Sequence, residues 1–458
     1  MRRNKHGNTS IFLAIILSAV IFVEGLYLAA IIDADRRVNI NRGLRLQVEQ
    51  ILASYDEELF LEYGIYGFFE ENISQEVFRK VIEESGYTYG GDIYIDGYKT
   101  ISTLQLEDAI SNYYTYRTAG IILKDLSGVI SMITDELEEF EFFDKINRFK
   151  ASGGNSVLNI LNKGASVINE VLESDELSGL VDLEDEDLGL ISDLFDYLEE
   201  INDSELVFDD DFSPEDMFSM NFYNDLINFA KKSSEVIEDD FYNLFVAHYA
   251  VYHFEAVVKE YEVEGDMYPD TTLRGTDYRD INPYECTDME YIISGYEGGL
   301  GVYTVGHVIS GFIMLSEAVN LLLDKDFMKV VNKIAKILSA VLKVLLDGAE
   351  IPPFVFVIMI LIYSSTVLMI RDMFKIYKGK TVEVFKIKNA PEPFNEGFSM
   401  NYKDFAFYFA FVAGKGMDKR IINVLENKYG PIMTKISLGT QYRDDVYSVK
   451  AGYDLYGL

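Results

Sequence analysis

The chain has 458 residues, with 76 Asp and Glu against 40 Lys and Arg, which gives a formal net charge of −36. A surface this acidic repels nucleic acid and anionic lipid headgroups, so the composition argues against both as partners. The single cysteine, Cys286, excludes an intramolecular disulfide and a CxxC-type zinc site. Only 8 prolines and 49% hydrophobic residues favour a mainly α (α+β) fold built on long helices.

Residues 11–32 form the longest apolar run, 22 residues with one charge, Glu24, and follow a short basic head at 1–10. A helix of that length spans about 33 Å, enough to cross the apolar core of a bilayer. A cleaved secretory signal has a shorter apolar centre and a small-x-small cleavage site after it. The run therefore predicts a retained transmembrane anchor, with the lipid bilayer as a partner.

The sequence gives opposing signals both for processing near the N-terminus and for the orientation of the anchor. Arg2, Arg3 and Lys5 precede Gly7 as in a prepilin-type leader, but Phe12 stands where a pilin has Glu. Gly7 is thus a possible leader-peptidase site.

The basic head favours a cytoplasmic N-terminus, whereas four arginines just past residue 32 argue for the opposite sense. Residues 33–370 carry a net charge of −42, which suits the exterior. We therefore expect a single-pass protein of the cell membrane, with its N-terminus cytoplasmic and its bulk extracellular.

Glu24 lies about 12 Å inside the outer end of the anchor at helical rise. A carboxylate at that depth is costly and often functional, for example by pairing with a neighbouring subunit. A side chain that is protonated or that reaches toward the interface is the simpler alternative, and both interpretations stay open.

Beyond the anchor, apolar residues recur at three- and four-residue steps, which predicts an amphipathic helical stem over 33–60. An acidic, mostly helical ectodomain should follow over 61–286, with a β-hairpin at 87–103 around its GG and DG pairs. A second helical region is expected over 287–458, opening with a short strand-like run at 287–299.

That second region contains three apolar segments, at 304–323, 326–346 and 354–377, and ends in alternating residues that predict a terminal strand. Within the third segment, residues 354–370 carry no charge. They fit either a second membrane span at the lower length limit or the buried central helix of a bundle.

Candidate sites for chemistry are few. Residues 164–230 contain 21 Asp and Glu and no Lys or Arg. Asp182, Glu184 and Glu186 supply alternate acids as a calcium loop would, but Asp187 stands at the required glycine position, so the match is weak. There is no GxGxxG, GxxxxGK[ST], GxSxG or HExxH motif, so we expect no enzyme, no catalytic residues, no metal site and no cofactor.

Several segments together resemble an uncharacterised Gram-positive domain family that is encoded with tight-adherence (Tad/Flp) pilus genes and has a TadE/TadG-like N-terminus. The matching segments are GNTSIFLAIIL (7–17), VEG (23–25), LASYDEELFLEYGIYGF (52–68), LEDAISNYYTYR (106–117), MEYIISG (289–295), the apolar helix at 351–372, NYKDFAFYFAF (401–411) and VYSVKAGYD (446–454). The chain departs from the family pattern at Tyr27, where an Arg is usual, and in the acidic stretch at 173–216.

The resemblance implies a membrane-anchored, minor pilin-like or pilus-assembly accessory protein, with other pilus-assembly membrane proteins as partners. It also draws attention to Glu24 and Gly25 as residues of the anchor and its assembly. The alternative is a two-span membrane receptor or ligand-binding module that uses 354–370 as a second transmembrane helix.

Overall fold

A computed structural model describes residues 6–86, 91–115, 241–263, 265–272, 286–345, 352–384, 386, 398–413 and 416–453. Its elements, in chain order, are α1 (His6–Ala53), α2 (Glu57–Tyr63), a 3-10 turn (Glu70–Asn72), α3 (Glu76–Glu84), β1 (Tyr94–Thr100), α4 (Thr103–Thr115), α5 (Phe241–His253), β2 (Glu260–Val263), β3 (Asp266–Pro269), α6 (Asp288–Ser294), α7 (Gly298–Leu323), α8 (Lys325–Leu345), α9 (Pro353–Tyr377), β4 (Val382–Val384), β5 (Phe398–Met400), α10 (Tyr402–Ala413), α11 (Met417–Tyr429), β6 (Met433–Tyr442) and β7 (Asp445–Gly452). The described part of the chain is mainly helical with small antiparallel sheets, as predicted.

The chain divides into two compact units that differ from the predicted domains. Unit 1 combines Met1–Tyr113 with Ile421–Leu458, and unit 2 is Tyr114–Arg420. The boundary that the sequence suggested between residues 286 and 287 falls inside unit 2. Composition could not reveal this division, because it depends on a strand pairing between residues more than 300 positions apart.

Unit 1 contains a three-stranded antiparallel sheet in the order β1-β6-β7. The described partner of β1 is β6, with Tyr98 opposite Ile436, so this strand does not form the local hairpin predicted for residues 87–103. β7 is the terminal strand that the alternating residues predicted, and it forms a hairpin with β6. Its two-residue turn places Arg443 at φ 55°, a left-handed conformation that suits the twist of a tight hairpin.

The lower half of α1 forms one wall of the unit 1 core. Its apolar residues pack with residues of α3, β6 and the segment before α3, and the buried members of this cluster are Ile40, Leu44, Val48, Ile51, Phe68, Phe78, Ile82, Ile93, Met433, Ile436 and Leu438. The helix ends at Ala53, not near residue 60 as predicted. The chain turns there because Asp56 caps a new helix, accepting a hydrogen bond from the Leu59 amide at 2.7 Å.

In unit 2, α7 packs on α9 and on the shorter helix α6, α8 packs on α9, and α5 packs on α10. Two two-stranded sheets, β2-β3 and β4-β5, accompany these helices. The strand-like run predicted at 287–299 is wrong, because Asp288–Ser294 is a helix that ends at Gly295 with φ 82°. The three apolar segments do form helices.

Candidate functional site

The upper half of α1 is the largest apolar surface that the described residues leave uncovered. The large apolar side chains between Ile11 and Ile32 are exposed by amounts from 43% for Ile32 to 68% for Tyr27. The segment continues without a break into the stem, so a single helix of 48 residues, about 72 Å long, contains both. Length, apolarity and exposure together are those of a membrane anchor.

The residues that the sequence singled out in the anchor lie on this exposed surface. Glu24 is exposed, and a Cβ placed on Gly25 would meet nothing within 4 Å. The two residues therefore leave a small polar notch in an otherwise apolar helix. Gly7 lies in the first turn of α1.

The weak calcium candidates Asp182, Glu184 and Glu186 lie outside the described residues. Among the residues that are described, no group of three or more His, Cys, Asp or Glu side chains could hold a metal ion.

Directly after the anchor, α1 is joined to the tip of the β6-β7 hairpin by a cluster of charges. Asp33 accepts hydrogen bonds from Arg37 at 2.9 Å and from Tyr442 at 3.3 Å, and its carboxylate lies 2.6 Å from the Arg443 guanidinium. Arg37 also pairs with Asp445 at 2.7 Å. Since Asp33 follows the last apolar residue of the anchor, this hairpin tip lies beside the end of the apolar segment of α1.

Further down, the stem is held by close packing and by a buried polar contact. The Phe78 ring approaches Gly43 so closely that a Cβ there would come within 2.9 Å of it. Gln47 is fully buried, and its side-chain oxygen accepts a hydrogen bond from the Phe78 amide at 2.9 Å. Tyr453 donates to the Leu52 carbonyl at 2.6 Å near the end of α1. The anchor is therefore rigidly continuous with the folded part of unit 1.

The sheet of unit 1 constrains the membrane topology of the whole chain. Residues 94–100 pair with 433–442, and both lie in one unit with the stem, so all three are on the same side of any membrane. The chain between residues 114 and 420 must then cross a membrane an even number of times, zero included. This rules out the arrangement in which 354–370 is the only additional span.

Among the residues that the structure describes, two further helices, α7 and α9, are long and apolar enough to cross a membrane. Unlike the anchor, both helices bury most of their apolar stretch inside unit 2. The buried share of that stretch is 67% for α7 and 61% for α9. For the apolar helices in the described part of the chain, single-pass topology is therefore one of two arrangements that agree with an even number of crossings. In the other, α7 and α9 cross together.

Unit 2 also contains a buried polar cluster that the sequence did not predict. Glu290 of α6 is 0% exposed, and one of its carboxylate oxygens accepts hydrogen bonds from the Val257 amide at 3.0 Å and the Tyr402 hydroxyl at 2.9 Å. Its other oxygen has no partner among the described residues. Beside it, the Lys403 ammonium lies 2.8 Å from Asp270, and both of these side chains are buried.

Burial controls the protonation of this cluster. It raises the pKa of Glu290 to about 7, although the hydrogen bonds from Val257 and Tyr402 and the charge of Lys403 act in the opposite direction. Burial also raises the pKa of the Tyr402 hydroxyl and lowers that of the Lys403 ammonium. Glu290 can therefore bind and release a proton near neutral pH. The polar atoms of the cluster are buried inside the fold, so a substrate could reach them only by displacing other parts of the protein.

Comparisons with protein-family models, with curated proteins and with solved structures find no match to this chain. Four of the eight segments quoted in the sequence analysis contact one another in two pairs. MEYIISG contacts NYKDFAFYFAF through Glu290 and Tyr402, and the segment at 52–68 contacts the chain end through Tyr453. Within each pair, the two segments are held together by hydrogen bonds or ring packing.

Proposed function

We propose that the protein is a membrane-anchored, pseudopilin-like (TadE/TadG-like) surface protein that serves as a structural or accessory component of pilus assembly. Its N-terminus is cytoplasmic and its bulk extracellular. The observation that carries the proposal is the uninterrupted helix α1, apolar and exposed over 11–32 and packed into a folded unit below. A helix held in this way can transmit a force or a displacement from the membrane to the folded part of unit 1.

The exposed notch at Glu24 and Gly25 is the proposed contact with assembly partners in the membrane. A lone carboxylate in the apolar core of a bilayer is stabilised by a cationic or hydrogen-bonding group of a neighbouring helix. A glycine beside it lets that helix approach closely, as small residues do in membrane helix pairs.

The variant Glu24→Gln tests this proposal in a strain that assembles pili from its own genes. We expect the variant to remain in the membrane fraction but to lose cross-linking to the assembly proteins and to reduce piliation. Ser18→Ala is the matched control, because Ser18 is exposed on the same segment and bonds only its own helix, at the Ile15 carbonyl. Normal piliation and adhesion after deletion of the whole gene would remove the basis of the proposal.

A second candidate function is a three-span membrane module that binds a ligand, with α1, α7 and α9 crossing. The lengths and apolarity of α7 and α9 favour it, as does the basic character of α8 between them. With a cytoplasmic N-terminus, that arrangement puts α8 inside, in agreement with the positive-inside rule.

Thiol labelling with a membrane-impermeant reagent separates the two arrangements. Native Cys286 is unsuitable because it is 3% exposed, so the probes are Glu297→Cys, Lys329→Cys and Lys378→Cys, each in a Cys286→Ala background. All three positions are exposed and lie before α7, on α8 and after α9. Labelling of all three from outside the cell supports the single-pass surface protein, whereas protection of position 329 alone supports the three-span module.

A further inference from the structure

The outer face of α8 is an exception to the acidic character of the chain. Residues 325–345 contain five lysines and one acidic residue, in a protein whose net charge is −36. Four of these lysines, Lys325, Lys329, Lys333 and Lys336, follow one another at steps of four, four and three residues. At about 100° per residue these steps keep all four within an arc of roughly 80° on one helix face.

This face of α8 is exposed to solvent. The side chains of all four lysines are exposed, while the opposite face of α8 buries Val331, Ile334, Ala335, Ile337 and Leu338 within unit 2. None of the ion pairs found among the described residues includes Lys325, Lys329 or Lys336. We refer to the four lysines as the lysine ridge.

From this geometry we propose that the lysine ridge of α8 binds the headgroups of an anionic lipid surface. Its lysines are spread over about 17 Å of helix, so they can contact several headgroups at once. The apolar face of α8 is occupied within unit 2, which leaves electrostatic attraction as the mode of binding. The net charge of the whole chain argued against such a partner, but attraction to a surface is decided by the charges within about one Debye length of it, about 8 Å in physiological salt.

Anchoring favours a lipid surface over other polyanions. A chain held in a bilayer by residues 11–32 presents its remaining surface to headgroups at a high effective concentration, which a soluble polyanion does not share. A lysine near an anionic membrane contributes a factor of about five to the equilibrium between docked and free forms. Four lysines together can therefore shift that equilibrium by several hundredfold.

The test uses the full-length protein reconstituted in vesicles of phosphatidylcholine, with or without phosphatidylglycerol. A fluorophore is attached at Asn332→Cys in the Cys286→Ala background, since Asn332 is exposed beside the ridge. Quenching by headgroup-labelled lipid then reports how close α8 lies to the bilayer. We expect strong quenching only with phosphatidylglycerol, and we expect high salt to abolish it, because the Debye length falls to about 3 Å at 1 M.

Two charge variants make the test specific. The ridge variant changes all four ridge lysines to Gln and should lose the quenching. The control variant removes the same number of charges at exposed lysines elsewhere, Lys80, Lys99, Lys419 and Lys450, and should retain it.

Equal quenching in both kinds of vesicle, or equal loss in both variants, would overturn the proposal. Quenching in neutral vesicles that resists salt would do so as well, and would indicate instead that α7 and α9 hold α8 at the membrane.

Discussion

Replacing Glu290 by Gln should stabilise unit 2 at alkaline pH and leave it nearly unchanged in acid. Gln matches the carboxyl in shape and can still accept the hydrogen bonds from the Val257 amide and the Tyr402 hydroxyl, but it never ionises. Burial raises the pKa of the Glu290 carboxyl from its ordinary value of 4.5 to about 7. Because one pKa unit corresponds to about 1.4 kcal/mol, ionising Glu290 inside the fold costs about 3 kcal/mol.

The sign of the effect follows from proton binding. Between pH 4.5 and about 7 the folded state keeps a proton on Glu290 that the unfolded state has released. The native chain therefore loses stability as pH rises through that window, and the loss is complete above pH 7. The Gln variant has no such loss, so the two proteins should be similar in stability near pH 4.5 and differ by about 3 kcal/mol near pH 8.

Native Cys286 provides a local assay. It is 3% exposed, it lies four residues before Glu290, and burial raises the pKa of its thiol to about 12, so labelling requires unit 2 to open. The rate of reaction with a dipyridyl disulfide should be up to about a hundredfold faster in the native chain than in the variant at pH 8. Comparing both proteins at each pH cancels the intrinsic reactivity of the thiol. A rate ratio that does not change between acid and alkaline pH would refute the reasoning.

Three other substitutions follow from the packing, each measured by hydrogen exchange of the affected unit. Gln47→Leu leaves the buried Phe78 amide without its acceptor and should destabilise unit 1 by about 1–3 kcal/mol. Tyr453→Phe removes one hydrogen bond at the end of α1 and should cost that unit about 1 kcal/mol, less than the first substitution. Gly379→Ala should destabilise unit 2 by at least about 2 kcal/mol, because Gly379 has φ 74° and a Cβ there would overlap the Glu260 carbonyl. Unchanged exchange in any of the three would contradict the corresponding contact.

Local sequence patterns correctly predicted the elements that depend on neighbouring residues alone. The anchor and the three apolar helices of unit 2 each follow from an apolar run within about 25 residues. The end of the stem was misjudged because the apolar spacing continues past Ala53, while the chain itself turns at the Asp56 cap. A single capping side chain outweighed the periodicity.

Long-range features could not be read in the same way. The partner of β1 lies more than 300 residues away, and nothing in GG or DG pairs distinguishes a local hairpin from a strand that pairs elsewhere. The buried cluster at Glu290 and Lys403 was missed because the segments that form it look like ordinary amphipathic sequence. Only the likeness to the pilus-associated family had singled out both segments, and it gave no reason for the charged residues within them.

Because β6 is the central strand of the sheet in unit 1, that sheet can form only after β6 has been synthesised. The anchor, the stem and β1 are synthesised before unit 2, whereas β6, the strand that pairs with β1, is synthesised after it. Unit 2 is continuous in sequence, so it can fold before β1 has a partner strand. A chain that lacks β6 would therefore have its anchor and stem but an incomplete unit 1.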